Sequence, residues 1–84
     1  MEIYRVNSEK WVWDDAYGRG HTEHKEIGFF TTREKAEREL YLYIAQRIKG
    51  VDKDKLKEVI SRTQEENKIL IKDNKYWINI IYVK

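Results

Sequence analysis

Apolar and polar positions divide this chain into segments of two different periods. From Glu2 to about Asp14 the apolar residues are β-branched or aromatic: Ile3, Tyr4, Val6, Trp11, Val12 and Trp13. This composition predicts a strand. Tyr4 and Val6 fall on one face of its pleat, whereas Trp11 and Trp13 have the opposite parity. The pattern therefore predicts either a break near Asn7-Ser8 or a bulge there that flips the register. Residues 15–20, DAYGRG, hold two glycines behind a polar start and read as a hairpin turn. A second strand is expected from about His21 to Thr31, ending in Ile27, Gly28, Phe29 and Phe30 and pairing antiparallel with the first.

At Thr31 the period changes. Thr31-Thr32-Arg33-Glu34 has the spacing of a capping box, with Thr31 as the cap and Glu34 reaching back. Phe30 is placed to act as a hydrophobic staple beside it. Ala36, Leu40, Tyr43, Ile44 and Ile48 then recur at helical spacing and predict a buried stripe on a helix running to about Lys49, with Gly50 as terminator. Asp52 or Asp54 can cap a second helix to about Asn67, with Leu56, Val59, Ile60 and Thr63 facing inward. Alternation returns at the end of the chain. Residues 69–72, ILIK, predict a short strand, Asp73-Asn74-Lys75 a turn, and Tyr76 to Val83 a final strand. Both faces of that last strand are apolar, which points to a central position or a second covered face. The predicted order is β-β-α-α-β-β: a single small α+β domain over residues 1–84, its antiparallel sheet carrying two helices on one face.

Composition narrows the function classes. The chain has 84 residues, 40% of them hydrophobic, with 17 Lys and Arg against 15 Asp and Glu. A formal charge of +2 lacks the strong field of a protein that coats DNA, yet permits a local basic patch. Without cysteine there are no disulfides, thiolate metal sites or thiol nucleophiles, and the composition fits a reducing cytoplasm. Residues 1–8, MEIYRVNS, do not read as a signal peptide, and the longest apolar run, Leu40 to Ala45, is far short of a membrane span.

No catalytic motif stands out. His21 and His24 are spaced H-x-x-H near Asp14, Asp15, Glu23 and Glu26, but strand parity sends the two rings to opposite faces, so no metal site is expected. Asp14-Asp15 reads as a polar turn rather than an acid–base pair, and the glycines of YGRG precede a strand rather than a helix, unlike a phosphate loop. The expectation is a protein without enzymatic activity or cofactor, with a small metal-dependent enzyme as a distant third reading.

Two surfaces remain. Arg47, Lys49, Lys53, Lys55 and Lys57 cluster at the junction of the helices, where they either complement the helix ends or contact a nucleic-acid backbone. The aromatic set is larger: three Trp, six Tyr and two Phe. Tyr4, Phe29, Phe30 and Tyr43 are expected mostly in the core. Trp11, Trp13, Tyr17 and Trp77 either cover a second sheet face or form an exposed patch that anchors a partner. Partner binding through these four residues is the leading expectation, and nucleic-acid binding through the basic junction is the alternative.

The stretch Ile27–Leu40, IGFFTTREKAEREL, behind an aromatic strand and a polar turn, resembles a pattern found in small accessory proteins of phages and mobile elements of low-GC bacteria. There a hairpin ends in F-[ST]-[ST]-x-E-x-A-E and enters a helix. The resemblance covers about the first half of the chain, and the Lys-, Glu-, Ile- and Asn-rich composition agrees with it. It implies a short phage-type accessory factor in the host cytoplasm, in a class several of whose members bind and inhibit host enzymes or defence systems. It carries no functional residue across.

Overall fold

The computed structural model describes residues 1–63 and 67–83. The elements run β1 (Glu2–Asp14), β2 (Arg19–Phe30), α1 (Arg33–Arg47), α2 (Lys53–Ser61), β3 (Ile69–Ile71) and β4 (Asn74–Tyr82). One four-stranded sheet has the order β2-β1-β4-β3, with every neighbouring pair antiparallel. The first and last strands are thus adjacent in the middle of the sheet, and their ends are tied by Val83 N to Met1 O at 2.8 Å. The two-sided apolar pattern of β4 follows from this interior position.

The expected α+β class holds, with one α1 stripe serving as the main core contributor. Ala36, Leu40 and Ile44 are fully buried and Ile48 nearly so. They meet Val6, Tyr76 and Ile78 from the sheet, Ile69 from β3, and Leu56 and Ile60 from α2. Each of these residues lies where its element's own period places it on the covered side.

Several boundaries differ from expectation, for identifiable reasons. β1 is continuous through Asn7-Ser8, and its register with β4 is regular from Glu2 to Lys10. The irregularity lies in the partner strand: Val6 pairs with Gly28 and Asn7 with Glu26, leaving Ile27 as the extra residue. Trp11 and Trp13 therefore face away from Tyr4 and Val6. The α1 cap is Thr32, one residue later than expected; its extended backbone (φ −130°, ψ 147°) lets Oγ1 accept from Lys35 N at 3.3 Å. Glu34 is then the second helical residue, so no capping box closes. Phe30 is too far from the cap for a staple, and its ring lies back over Gly28, where an added Cβ would come within 3.0 Å of it.

Asp52 caps α2 by accepting from the amides of Asp54 and Lys55. The described helix ends at Ser61, six residues short of the expected Asn67, and the intervening residues 64–66 lie outside the described ones. Thr63 is buried and pinned: its Oγ1 donates to Asn67 O at 3.0 Å, and its carbonyl accepts from Arg33 Nη2 at 2.6 Å. Val59, expected inside, is 38% exposed beside β3. The β3–β4 turn is made by Lys72 and Asp73, with Lys72 at φ 55°, so Asn74 and Lys75 belong to β4. Among the described residues, no helix is long and apolar enough to cross a membrane.

Candidate functional site: the aromatic arm of the first hairpin

The β1–β4 ladder stops at Lys10 and Asn74, whereas the β1–β2 ladder continues to Asp14 and Arg19. Beyond Lys10 the sheet is therefore a two-stranded ribbon, four residues long on each side and reaching about 13 Å past β4 at strand rise. Its last tie to the body is Trp11 N donating to Asp73 O at 3.1 Å. The tip is a four-residue turn, Asp15 to Gly18. Asp14 organises it through its side chain, which accepts from Ala16 N at 3.0 Å, and its carbonyl, which accepts from Tyr17 N at 3.3 Å. Gly18 supplies the left-handed position with φ +62°.

Trp11 and Trp13 are on the helix-free side of this arm, 52% and 57% exposed, and Tyr17 at the tip is 74% exposed. The indoles are not equivalent. Trp11 lies over Gly20, so closely that a Cβ there would overlap its six-membered ring. Gly20, which the sequence pattern assigns to the turn, is a strand residue opposite Trp13, and its bare Cα seats the Trp11 indole. A two-stranded ribbon is marginal by itself, and an aromatic ring laid over a strand glycine is one way to hold it. Trp11 thus braces the arm, while Trp13 and Tyr17 are left to solvent.

Trp77, grouped with these rings in the sequence, is elsewhere and is covered. It is 5% exposed, with the His24 imidazole stacked on it at 5.6 Å between centroids and Lys68 Nζ at 4.2 Å from the ring centroid. Around it the helix-free face is closed by polar side chains. Asn7, fully buried, donates from Nδ2 to Arg5 O at 3.1 Å and to Asn79 Oδ1 at 2.6 Å. These two contacts fix the amide orientation, so Asn7 Oδ1 accepts from His24 Nε2 at 3.2 Å, with that nitrogen protonated. Arg5 Nε also donates to Asn79 Oδ1 at 3.1 Å, and Arg5 Nη1 reaches Glu26 at 3.4 Å. The expected patch of three tryptophans therefore separates into a polar-capped Trp77 and an exposed arm. Phe29, expected in the core, is on the same face and 55% exposed.

His24 and His21 point to opposite faces, as strand parity requires. His21 Nε2 instead contacts Glu23 at 3.2 Å on the helix side. Among the described residues no three His, Asp or Glu side chains come together in a way that suits a metal ion.

The five cations of the helix junction do not converge. The Arg47 guanidinium carbon lies 3.6 Å from the Tyr43 ring centroid, and Lys57 Nζ lies 5.2 Å from that of Tyr41. Lys55 borders the groove between α2 and β3, and Lys49 and Lys53 are exposed. Lys53 and Lys57, four apart on α2, share a helix face that Lys55 does not. The junction thus presents several small basic surfaces rather than one stripe.

No protein-family model, curated protein or solved structure matches the chain.

Proposed function

We propose that this chain acts by binding another protein, with the β1–β2 arm entering a cleft on the partner and Trp13 and Tyr17 as its anchors. The observation that carries this reading is the placement of these two rings. They stand exposed on a ribbon that extends beyond the body of the sheet, clear of both helices. Large rigid rings bury much area at little entropic cost, and they dominate the energy of protein interfaces. The ribbon is narrow, so its natural counterpart is a concave site, and a blade that fills such a site suits an inhibitor. The phage-type accessory role in a host cytoplasm, directed at a host enzyme or defence factor, belongs to the same proposal.

Nucleic-acid binding through Arg47, Lys49, Lys53, Lys55 and Lys57 is the weaker reading, because those side chains face different surfaces. Salt separates the two: phosphate contacts weaken steeply as salt rises, whereas an aromatic anchor does not. The test is parallel capture from a host lysate with wild type, Trp13→Ala, Tyr17→Ala and a Lys53→Gln/Lys55→Gln/Lys57→Gln variant as baits. A protein retained by wild type and by the lysine variant, but lost with either aromatic variant, supports the arm. Retention by the aromatic variants and loss with the lysine variant refutes it.

A further inference from the structure

On the opposite, helix-bearing face, a groove of about 410 Å³ opens where α1 ends and the arm begins. Its walls come from four elements: Ser8 and Lys10 on β1, Glu23 and Lys25 on β2, Tyr43 and Arg47 on α1, and Asn74 and Tyr76 on β4. Lys25 and Arg47 both lie against the Tyr43 ring, at 5.8 and 3.6 Å from its centroid. Among the described residues, Lys10, Lys25 and Arg47 form no ion pair. The one carboxylate in the lining, Glu23, is in contact with His21 instead. Three cations thus share a concavity with a single acid, in a chain whose overall charge is only +2.

Apart from the apolar Ile48, the remaining lining is hydrogen-bonding: the hydroxyls of Ser8, Tyr43 and Tyr76 and the amide of Asn74. Burial raises the Tyr76 pKa, a rise the neighbouring Tyr43 adds to and Arg47 opposes, so its hydroxyl stays protonated and able to donate. Arg47 stands in the last turn of α1, where its charge also offsets the carbonyl end of the helix.

We infer that this groove is a binding site for a phosphate monoester of small-molecule size. Three cations against one carboxylate leave a lining charge that matches the roughly −1.5 to −2 of a phosphate monoester at neutral pH. A guanidinium fork, two ammonium groups and several hydroxyls are the donors such a group takes. The volume is in the range of small-ligand sites and exceeds what phosphate alone fills, leaving room for a sugar or nucleoside body. An extended polyanion fits less well, because the cations surround a pocket rather than follow a track. The site is on the other face of the sheet from Trp13 and stands or falls independently of the arm.

The test is a titration of the ¹⁵N-labelled protein with inorganic phosphate, with adenosine 5′-monophosphate and with an oligothymidylate. It is repeated on Lys10→Gln/Lys25→Gln, whose replaced side chains are exposed. The expected result is saturable shifts at Ser8, Lys25, Tyr43 and Asn74 with both small probes, the nucleotide binding more tightly than phosphate. In the double variant, with a folded spectrum, affinity falls at least about tenfold. The proposal is overturned by the absence of saturable shifts with both small probes, by shifts elsewhere, or by unchanged affinity in the double variant. Binding of the oligothymidylate alone also overturns it and assigns these cations to a polyanion.

Discussion

Replacing Asn7 by alanine tests whether the helix-free face is held by polar contacts rather than left as an open apolar patch. Asn7 is at 0% exposure and makes three contacts: to Arg5 O, to Asn79 Oδ1 and to His24 Nε2. The partners are not equally harmed by its loss. His24 is exposed and can turn to water, and Asn79 Oδ1 retains Arg5 Nε. The cost is therefore near the net value of the bonds rather than the full penalty of buried orphans. At about 1 kcal/mol per bond, with some recovery at His24, Asn7→Ala should destabilise the fold by roughly 2–3 kcal/mol. In a domain of this size that corresponds to a fall in Tm of about 10–20 °C. Urea unfolding followed by far-UV circular dichroism gives the free energy, and the wild-type slope should be kept if the denatured state is unchanged. Trp77, which His24 covers, should show red-shifted emission. A change below about 0.5 kcal/mol with unaltered fluorescence would refute the assignment of the network as the clasp of this face.

Three further outcomes follow from the same structure. Thr32→Ala should cost about 0.5–2 kcal/mol and Thr31→Ala much less, because Thr32 is the residue that accepts from the Lys35 amide; urea melts of the two variants decide between them. Gly20→Ala places a methyl where the Trp11 indole lies, so the ring must swing into solvent; the Trp11 indole N–H signal should move while global stability changes by less than about 1 kcal/mol, the arm being outside the core. The third is alkaline: the folded pKa of Tyr76 is raised, chiefly by burial, so the stability it contributes is fully present below the unfolded value near 10 and is lost as pH rises through the folded value. Tyr76→Phe should flatten the decline of the urea midpoint above about pH 10 relative to wild type.

Much of the fold was legible because the signals are local. The Ala36-Leu40-Ile44 stripe can bury itself only as a helix, and the alternation in Tyr76-Trp77-Ile78 can do so only as a strand between two others. What was not legible depends on pairing. The parity conflict in β1 was visible in the sequence, but it needed no break or flip: the extra residue is Ile27 in the partner strand, and the two tryptophans simply belong to the other face. Both Thr31 and Thr32 are good caps, and the backbone angle at Thr32 selects between them.

The candidate site divided along the same line. The exposure of Trp13 and Tyr17 follows from a glycine turn at the end of a long hairpin, which the sequence displays. Trp77 is covered by His24, 53 positions away in the chain, and by Lys68 from the approach to β3, which no local pattern reveals. Gly20 acquired meaning only once the strand register placed it opposite Trp13 and under Trp11. Lys10, Lys25 and Arg47 look unrelated in the sequence because the groove that joins them is made by the sheet order β2-β1-β4 beneath α1.

Binding of a protein through Trp13 and Tyr17 of the arm is measured by calorimetry. The titrant is the protein that wild type retains from the host lysate, chosen without reference to the variants. Trp13→Ala and Tyr17→Ala, each with a wild-type circular dichroism spectrum, should weaken binding by roughly 1–4 kcal/mol, whereas Lys53→Gln/Lys55→Gln/Lys57→Gln should leave it within about 0.5 kcal/mol. Wild-type affinity in both aromatic variants, with loss in the lysine variant and a steep dependence on salt, would place the interface on the helix junction instead of the arm.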